Sequence, residues 1–232
     1  MPRWKRSTDI ACSLFALPVL AVGALVMMTV TKLLSRGPIF FRQERVGLQG
    51  RRFTILKFRT MKVAADPEIH LNHMRQLMSA NTPMAKLDGQ RDPRLIPGGW
   101  LLRASGLDEL PQVINVLRGE MSLVGPRPCL PAEFEQARPA QRERVNAVPG
   151  LTGLWQVSGK NRTTFEEMIR LDVHYARNVA LPLDLKIILL TPIALLRQIG
   201  DTQRQRQPAT RVVAAPKSDP VAVAPIVAAR VS

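Results

Sequence analysis

Between Asp9 and Lys32 the chain carries no charge. The run IACSLFALPVLAVGALVMMTVT, from Ile10 to Thr31, is long enough to cross a hydrocarbon core of about 30 Å as a helix. That length excludes an ordinary buried helix of a soluble domain. It also exceeds a signal-peptide core, and no small-residue cleavage site follows it. The flanks constrain the topology further. Arg3, Lys5 and Arg6 precede the run, and Lys32, Arg36, Arg42 and Arg45 follow it. Positive charge holds a flank on the cytoplasmic side, and here both flanks claim that side. A straight span satisfies one cluster only. A helix broken at Pro18, entering and leaving by the same face, satisfies both, because proline removes a backbone hydrogen bond and clashes with the preceding turn.

The rest of the chain divides by composition. Residues 1–36 form the membrane-inserted segment with its basic flanks, and residues 37–200 form a cytoplasmic working domain. From Asp201 onward the sequence is rich in proline, alanine and valine, lacks aromatic residues and reads as a disordered basic tail over 201–232. Of the 232 residues, 46% are hydrophobic, so the middle segment has the means to build a core. Cys12 and Cys129 are the only cysteines. With no CxxC or Cys/His spacing they indicate a reduced, cytoplasm-facing protein and no disulfide framework.

A formal net charge of +15 calls for acidic partners: nucleic acid, anionic membrane lipid or phosphorylated small molecules. Aromatic residues make up only 5% of the chain and include a single tyrosine, too few for a stacking platform. No zinc-finger or RNA-recognition pattern is present, so nucleic acid is not the expected partner.

The local pattern predicts an α+β, mainly helical domain. Pro38 to Arg45 and Arg52 to Met61 read as strands of a small β-hairpin joined through Gly47 and Gly50. Alternation along the second strand puts Phe53, Ile55, Lys57, Arg59 and Met61 on one face, and its cations suggest an anion site. Asp66 to Ala80 is an amphipathic helix and Asn81 to Gly99 a loop. Thr164 with Glu167 makes a capping box opening a helix to Ala180, with Asp172 and Tyr175 on its surface. Leu185 to Leu196, interrupted by Pro192, is core or an interfacial helix.

The stretch SGLDELPQVINVLRGEMSLVGPRP, residues 105–128, sets Asp108 and Glu109 side by side in a basic chain. One reading is capping: Asp108 as N-cap, Pro111 in the first turn, and Gly119 as the C-terminal stop. The other is a functional carboxylate pair.

LKFRTM (56–61), LDELPQVINVLRGEMSLVGPRP (107–128) and PGLTGLWQVSGKNR (149–162), in this order, resemble the bacterial sugar transferases. These are monotopic polyprenyl-phosphate phosphoglycosyl transferases, and the likeness is to the short form without a multi-span N-terminal domain. It runs from about Trp4 to Gly200. It implies a monotopic membrane protein with a re-entrant helix and interfacial amphipathic helices at the bacterial inner membrane, its catalytic domain on the cytoplasmic face. It also implies transfer of a sugar 1-phosphate from a UDP-sugar to undecaprenyl phosphate, releasing UMP and requiring Mg²⁺, at the start of exopolysaccharide or O-antigen assembly. Downstream glycosyltransferases are the protein partners that follow from such a role.

By the same resemblance Asp108 is the nucleophile that forms an aspartyl intermediate, and Glu109 holds the metal. Arg127, Arg103 and Lys57 match active-site positions on the phosphate path, with Arg59 a weaker candidate from the same strand face. Asp172 matches a position that orients a cation or the metal's water shell. In one respect the chain departs from the pattern. Leu17-Pro18 stands where such proteins often carry Ser-Pro, with Ser13 upstream. The competing readings are a non-catalytic membrane-bound adaptor for acidic lipid and partner proteins, and a nucleic-acid binder. An intact Asp-Glu pair in cationic company favours the enzyme.

Overall fold

The structure, a computed structural model, describes residues 1–63, 67–84 and 92–206. Most of the expected tail, residues 207–232, lies outside the described residues. Helix α1 runs from Arg3 to Leu34, 32 residues, or about 48 Å at the usual rise. Pro18 lies inside it, so the expected break does not interrupt the helix. One backbone hydrogen bond is lost there, at a cost of about 3 kcal/mol. Docking on either side of the proline holds the helix together. Lys5, Asp9, Ser13, Leu20, Met27 and Thr31 are all buried, a stripe spaced by fours and sevens down one side. The other side faces outward through Leu14, Phe15, Val19, Val22, Leu25 and Val26.

Strand β1 (Phe40–Val46) pairs antiparallel with β2 (Arg52–Phe58) through a tight connection at Gly47 to Gly50, the expected hairpin. Helix α2 spans Pro67–Ala80 and α3 spans Gly99–Ser105. A single 3₁₀ turn, Leu107–Glu109, carries both carboxylates and leads into α4 (Gln112–Arg118). Pro111, not Asp108, holds the N-cap position of α4, so the capping reading of Asp108 is not realised; Gly119 does close the helix, with φ of 80°.

Strand β3 (Ser122–Val124) pairs in parallel with β4 (Gly150–Thr152). This pairing puts the Gly-Pro-Arg-Pro turn against the Pro-Gly-Leu-Thr-Gly segment. The backbones approach so closely that a Cβ on Gly125 would stand 2.2 Å from the Val148 carbonyl oxygen. One on Gly150 would stand 2.0 Å from the Gly125 nitrogen. Only glycine fits at either place.

Helices α5 (Pro131–Gln136), α6 (Pro139–Arg142) and α7 (Leu154–Val157) are short. Helix α8 (Phe165–Arg177) opens on the expected capping box, Thr164 with Glu167. Asp172 and Tyr175, read from sequence as surface residues, are instead buried: the segment Glu143–Asn146 lies along α8 and brings Arg144 onto Asp172, while Tyr175 packs in a cluster with Val124 and Ile187. Helix α9 runs from Leu181 to Arg206 through Pro192, past the domain boundary drawn at residue 200. The core has distinct clusters: Met74, Leu77, Trp155, Phe165 and Met168 between α2 and α8, and Leu20, Met27 and Phe58 under α1.

Candidate active site

A cavity of about 190 Å³ opens where the hairpin, the 3₁₀ turn and the Gly-Pro-Arg-Pro turn meet. Asp108 and Glu109 line it, together with Arg45, Lys57, Arg94, Arg103, Arg127 and Lys160. Of the sequence candidates, Lys57, Arg103, Asp108, Glu109 and Arg127 are thus brought together. Asp108 is buried. Glu109 is half-buried and accepts a hydrogen bond from Lys57 Nζ at 2.8 Å.

Arg59 and Asp172 are not on the cavity wall. Strand β2 ends at Phe58, and the Arg59 guanidinium turns to donate to Pro38 O, Ser35 Oγ, Ser35 O and Met61 O. It fastens the end of α1 to the hairpin. Asp172 stands behind Arg127. Its Oδ2 accepts from the Arg127 backbone N–H at 3.3 Å and from Arg144, while its Oδ1 is buried with no hydrogen-bond partner. Burial pushes the Asp172 carboxyl up to about 6, against the opposing pull of Arg144 and Arg127. We assign burial the larger effect, since one of its two oxygens is shut from bulk solvent and meets no protein donor.

Arg127 is tied down on every side. Its guanidinium donates to both carboxylate oxygens of Glu133 at 2.8 to 3.1 Å. Its carbonyl accepts from Arg144 at 2.7 Å. Burial works against its charge, but Glu133 more than offsets this and raises its affinity for the proton. Arg45, which sequence reasoning left in a basic flank, is a buried wall residue that donates to Pro128 O at 3.0 Å. Burial first, then Arg127, pushes it down to about 10. Arg94 and Lys160 were also missed. Lys160 lies inside the quoted PGLTGLWQVSGKNR, so its motif was visible although its role was not.

A wall with this excess of cations around adjacent carboxylates suits a polyanionic substrate containing phosphates. Among the described residues no cluster of three or more His, Cys, Asp or Glu side chains stands ready to cage a metal. Asp108 and Glu109 do fit a hard cation that takes the remainder of its shell from phosphate oxygens and water.

The site thus gathers cations around two adjacent carboxylates, in a chain whose helix α1 turns an apolar face outward. Residues 2–198 match the family described as bacterial sugar transferase, and the chain belongs to that family. It is similar to the galactosyl transferase CpsE of Streptococcus agalactiae, 41% identical over 84% of this chain and 43% of that protein. It is similar to the exopolysaccharide production protein ExoY of Sinorhizobium fredii, 38% identical over 81% of this chain and 83% of that protein. A third relative is the undecaprenyl-phosphate galactose phosphotransferase of Salmonella typhimurium, 36% identical over 84% of this chain and 41% of that protein. The chain therefore spans less than half the length of the first and third relatives and most of the second.

Proposed function

We propose that this protein transfers a sugar 1-phosphate from a UDP-sugar to undecaprenyl phosphate and releases UMP, the initiating step of exopolysaccharide or O-antigen assembly. The observation that carries the reading is the placement of Asp108, buried in a cationic cavity beside a Glu109 already paired with Lys57. An Asp108 carboxylate oxygen attacks the sugar-bearing phosphorus. The bond from that phosphorus to the UMP oxygen breaks, and an aspartyl phospho-sugar forms. A phosphate oxygen of the lipid then attacks the same phosphorus, Asp108 leaves as free carboxylate, and the sugar is left on a lipid diphosphate. Lys57, Arg103 and Arg127 hold the phosphate oxygens in line and offset their charge. Mg²⁺ beside Glu109 supplies further neutralisation of the diphosphate when bound.

The membrane part of the reading has its own support. Along the apolar stretch of α1 only 17% of the residues are buried, which a core helix of a soluble protein would not tolerate. Helix α9 exposes Leu185, Leu189, Ile193 and Leu196 as well. These faces lie in the cytoplasmic leaflet of the inner membrane, within reach of both a lipid phosphate and a cytoplasmic UDP-sugar.

The test is incubation of detergent-solubilised protein with a panel of UDP-sugars labelled in the sugar. UMP release and a labelled adduct on the protein are expected, both lost in Asp108→Asn, which keeps the side chain's size but not its nucleophilicity. An adduct on the Asn variant, or no UMP from any UDP-sugar, would sink the reading.

A further inference from the structure

We propose that Asn115 is a positioning residue for the transfer: its side-chain amide stands in for a missing strand along the free edge of β2, and so fixes Lys57 against Asp108 and Glu109. The inference rests on the phosphoryl-transfer reading above for its consequence, but on geometry alone for its basis.

Strand β2 has one neighbour, β1. Along its other edge the Leu56 N–H and the Thr54 carbonyl point away from β1. In a parallel ladder a neighbouring residue opposite Ile55 would accept from the first and donate to the second. Asn115 supplies both functions from its side chain. Its Oδ1 accepts from the Leu56 N–H at 3.1 Å, and its Nδ2 donates to Thr54 O at 2.7 Å. The second amide proton goes to Glu120 Oε2 at 2.7 Å. The Asn115 carbonyl accepts the Glu120 and Met121 N–H groups at 3.0 and 3.2 Å, closing the end of α4.

Asn115 is wholly buried, and each of these polar groups has a partner. A buried amide so fully used admits one register. The consequence lies on either side of it. Lys57 follows Leu56 directly on the strand. Asp108 and Glu109 sit on the turn that leads into α4, of whose seven residues Asn115 is the middle one. The amide is therefore a bolt between the element that carries the cation and the element that carries the carboxylates. A slide of α4 along β2 by a fraction of a residue would separate Lys57 Nζ from Glu109 Oε1, now 2.8 Å apart. No other amino-acid side chain of this size offers both an acceptor and two donors.

The experiment uses the full chain in detergent, with Asn115→Leu, Asn115→Asp and, as a control for lost stability, Met168→Ala, a buried residue of the α2–α8 cluster. Activity is normalised to folded protein well below each thermal midpoint. Asn115→Leu is expected to lower kcat for UMP release by about 100-fold, the scale of a misplaced catalytic group, with a smaller change in KM for UDP-sugar. Met168→Ala should lose stability while keeping kcat within about twofold. Mass-spectrometric rates of Lys57 acylation by an amine reagent should rise in Asn115→Leu and not in the control.

Asn115→Asp gives a signature that a purely structural role does not. As a carboxylate it still accepts from Leu56, but it repels Thr54 O and Glu120. As a neutral acid it regains a donor. The charged groups on the elements around it are Glu120, which accepts from the Asn115 amide, Arg6 of α1, which donates to the Val116 and Leu117 carbonyls, and Lys57 of β2, next to the Leu56 that bonds Asn115. Its activity relative to wild type should thus recover as pH falls, and Glu120→Gln should rescue part of the loss at neutral pH. Equal losses of kcat in Asn115→Leu and Met168→Ala, or an Asn115→Asp profile parallel to wild type, overturn the proposal. If wild type releases no UMP, the transfer reading fails, and the Lys57 acylation rates still decide whether Asn115 sets the pair.

Discussion

Asp172 uses one oxygen twice and leaves the other without a protein donor. Its Oδ2 takes the Arg127 N–H and the Arg144 guanidinium, while its Oδ1 meets no donor. A carboxyl that ionises at about 6 in the fold and near 3.9 in the unfolded chain binds more protons when native between those values. Its contribution to stability is therefore present below about pH 4 and lost as pH rises through 6. This is opposite to an ordinary salt-bridged aspartate. Activity should run the other way, since protonation below 6 weakens the acceptor that holds the Arg127 turn. We expect the stability of wild type relative to Asp172→Asn to fall between pH 4 and 6.5 while UMP release rises. Thermal midpoints and initial rates across that range measure both, and a stability difference that grows with pH would refute the assignment. The same scale shows what a sequence conceals. Lys57 and Arg59 stand two apart, and strand alternation put them together, but the strand stops between them and Ser35 captures Arg59. Glu133 and Arg144, which with Asp172 fix Arg127, come from segments whose sequence gave no hint of burial. Only tertiary pairing makes a buried charge tolerable.

Elements with local signals were legible, and those held by distant contacts were not. The capping box of α8 and the glycines of the hairpin act within a few residues, and both were read correctly. Strands β3 and β4 have three residues each, too short for a period-two pattern to register. Their parallel pairing depends on chain far apart in sequence. Helix α1 shows how an apolar run can hide a polar anchor. At its start Lys5 Nζ, buried, donates to Asp184 at 2.5 Å, to Val124 O at 2.8 Å and to Tyr175 at 3.1 Å. Tyr175 itself donates to the other Asp184 oxygen at 2.6 Å. Lys5→Met would strand the Asp184 charge in the interior, at about 3–5 kcal/mol. A drop in the thermal midpoint in detergent is expected, with partial recovery when Asp184→Asn is added, because the amide no longer demands a cation. A Lys5→Met protein as stable as wild type would mean that this contact does not fasten the helix.

At the scale of the whole molecule, those anchors bear on the membrane topology that we propose. Lys5 ties the beginning of α1 to β3, α8 and α9, and Ser35, just past its end, takes two bonds from Arg59 behind the hairpin. Between them the stripe from Asp9 to Thr31 is buried against the same domain. A helix of about 48 Å with both ends bonded to one polar body supports our proposal that both ends lie on one side of the membrane. The flanking arginines and lysines point the same way from charge alone, and that argument does not depend on a break at Pro18, through which the helix is continuous. On that proposal the outward residues of α1 and the exposed leucines of α9 would enter one leaflet from one side. With Cys12 and Cys129 replaced by serine, single cysteines at Pro2→Cys and Arg36→Cys report each end. In intact cells an impermeant thiol reagent should label neither, and after permeabilisation it should label both. Labelling of position 2 alone in intact cells would place the N-terminus outside, and α1 would then have to leave the domain that buries Lys5 and Asp9.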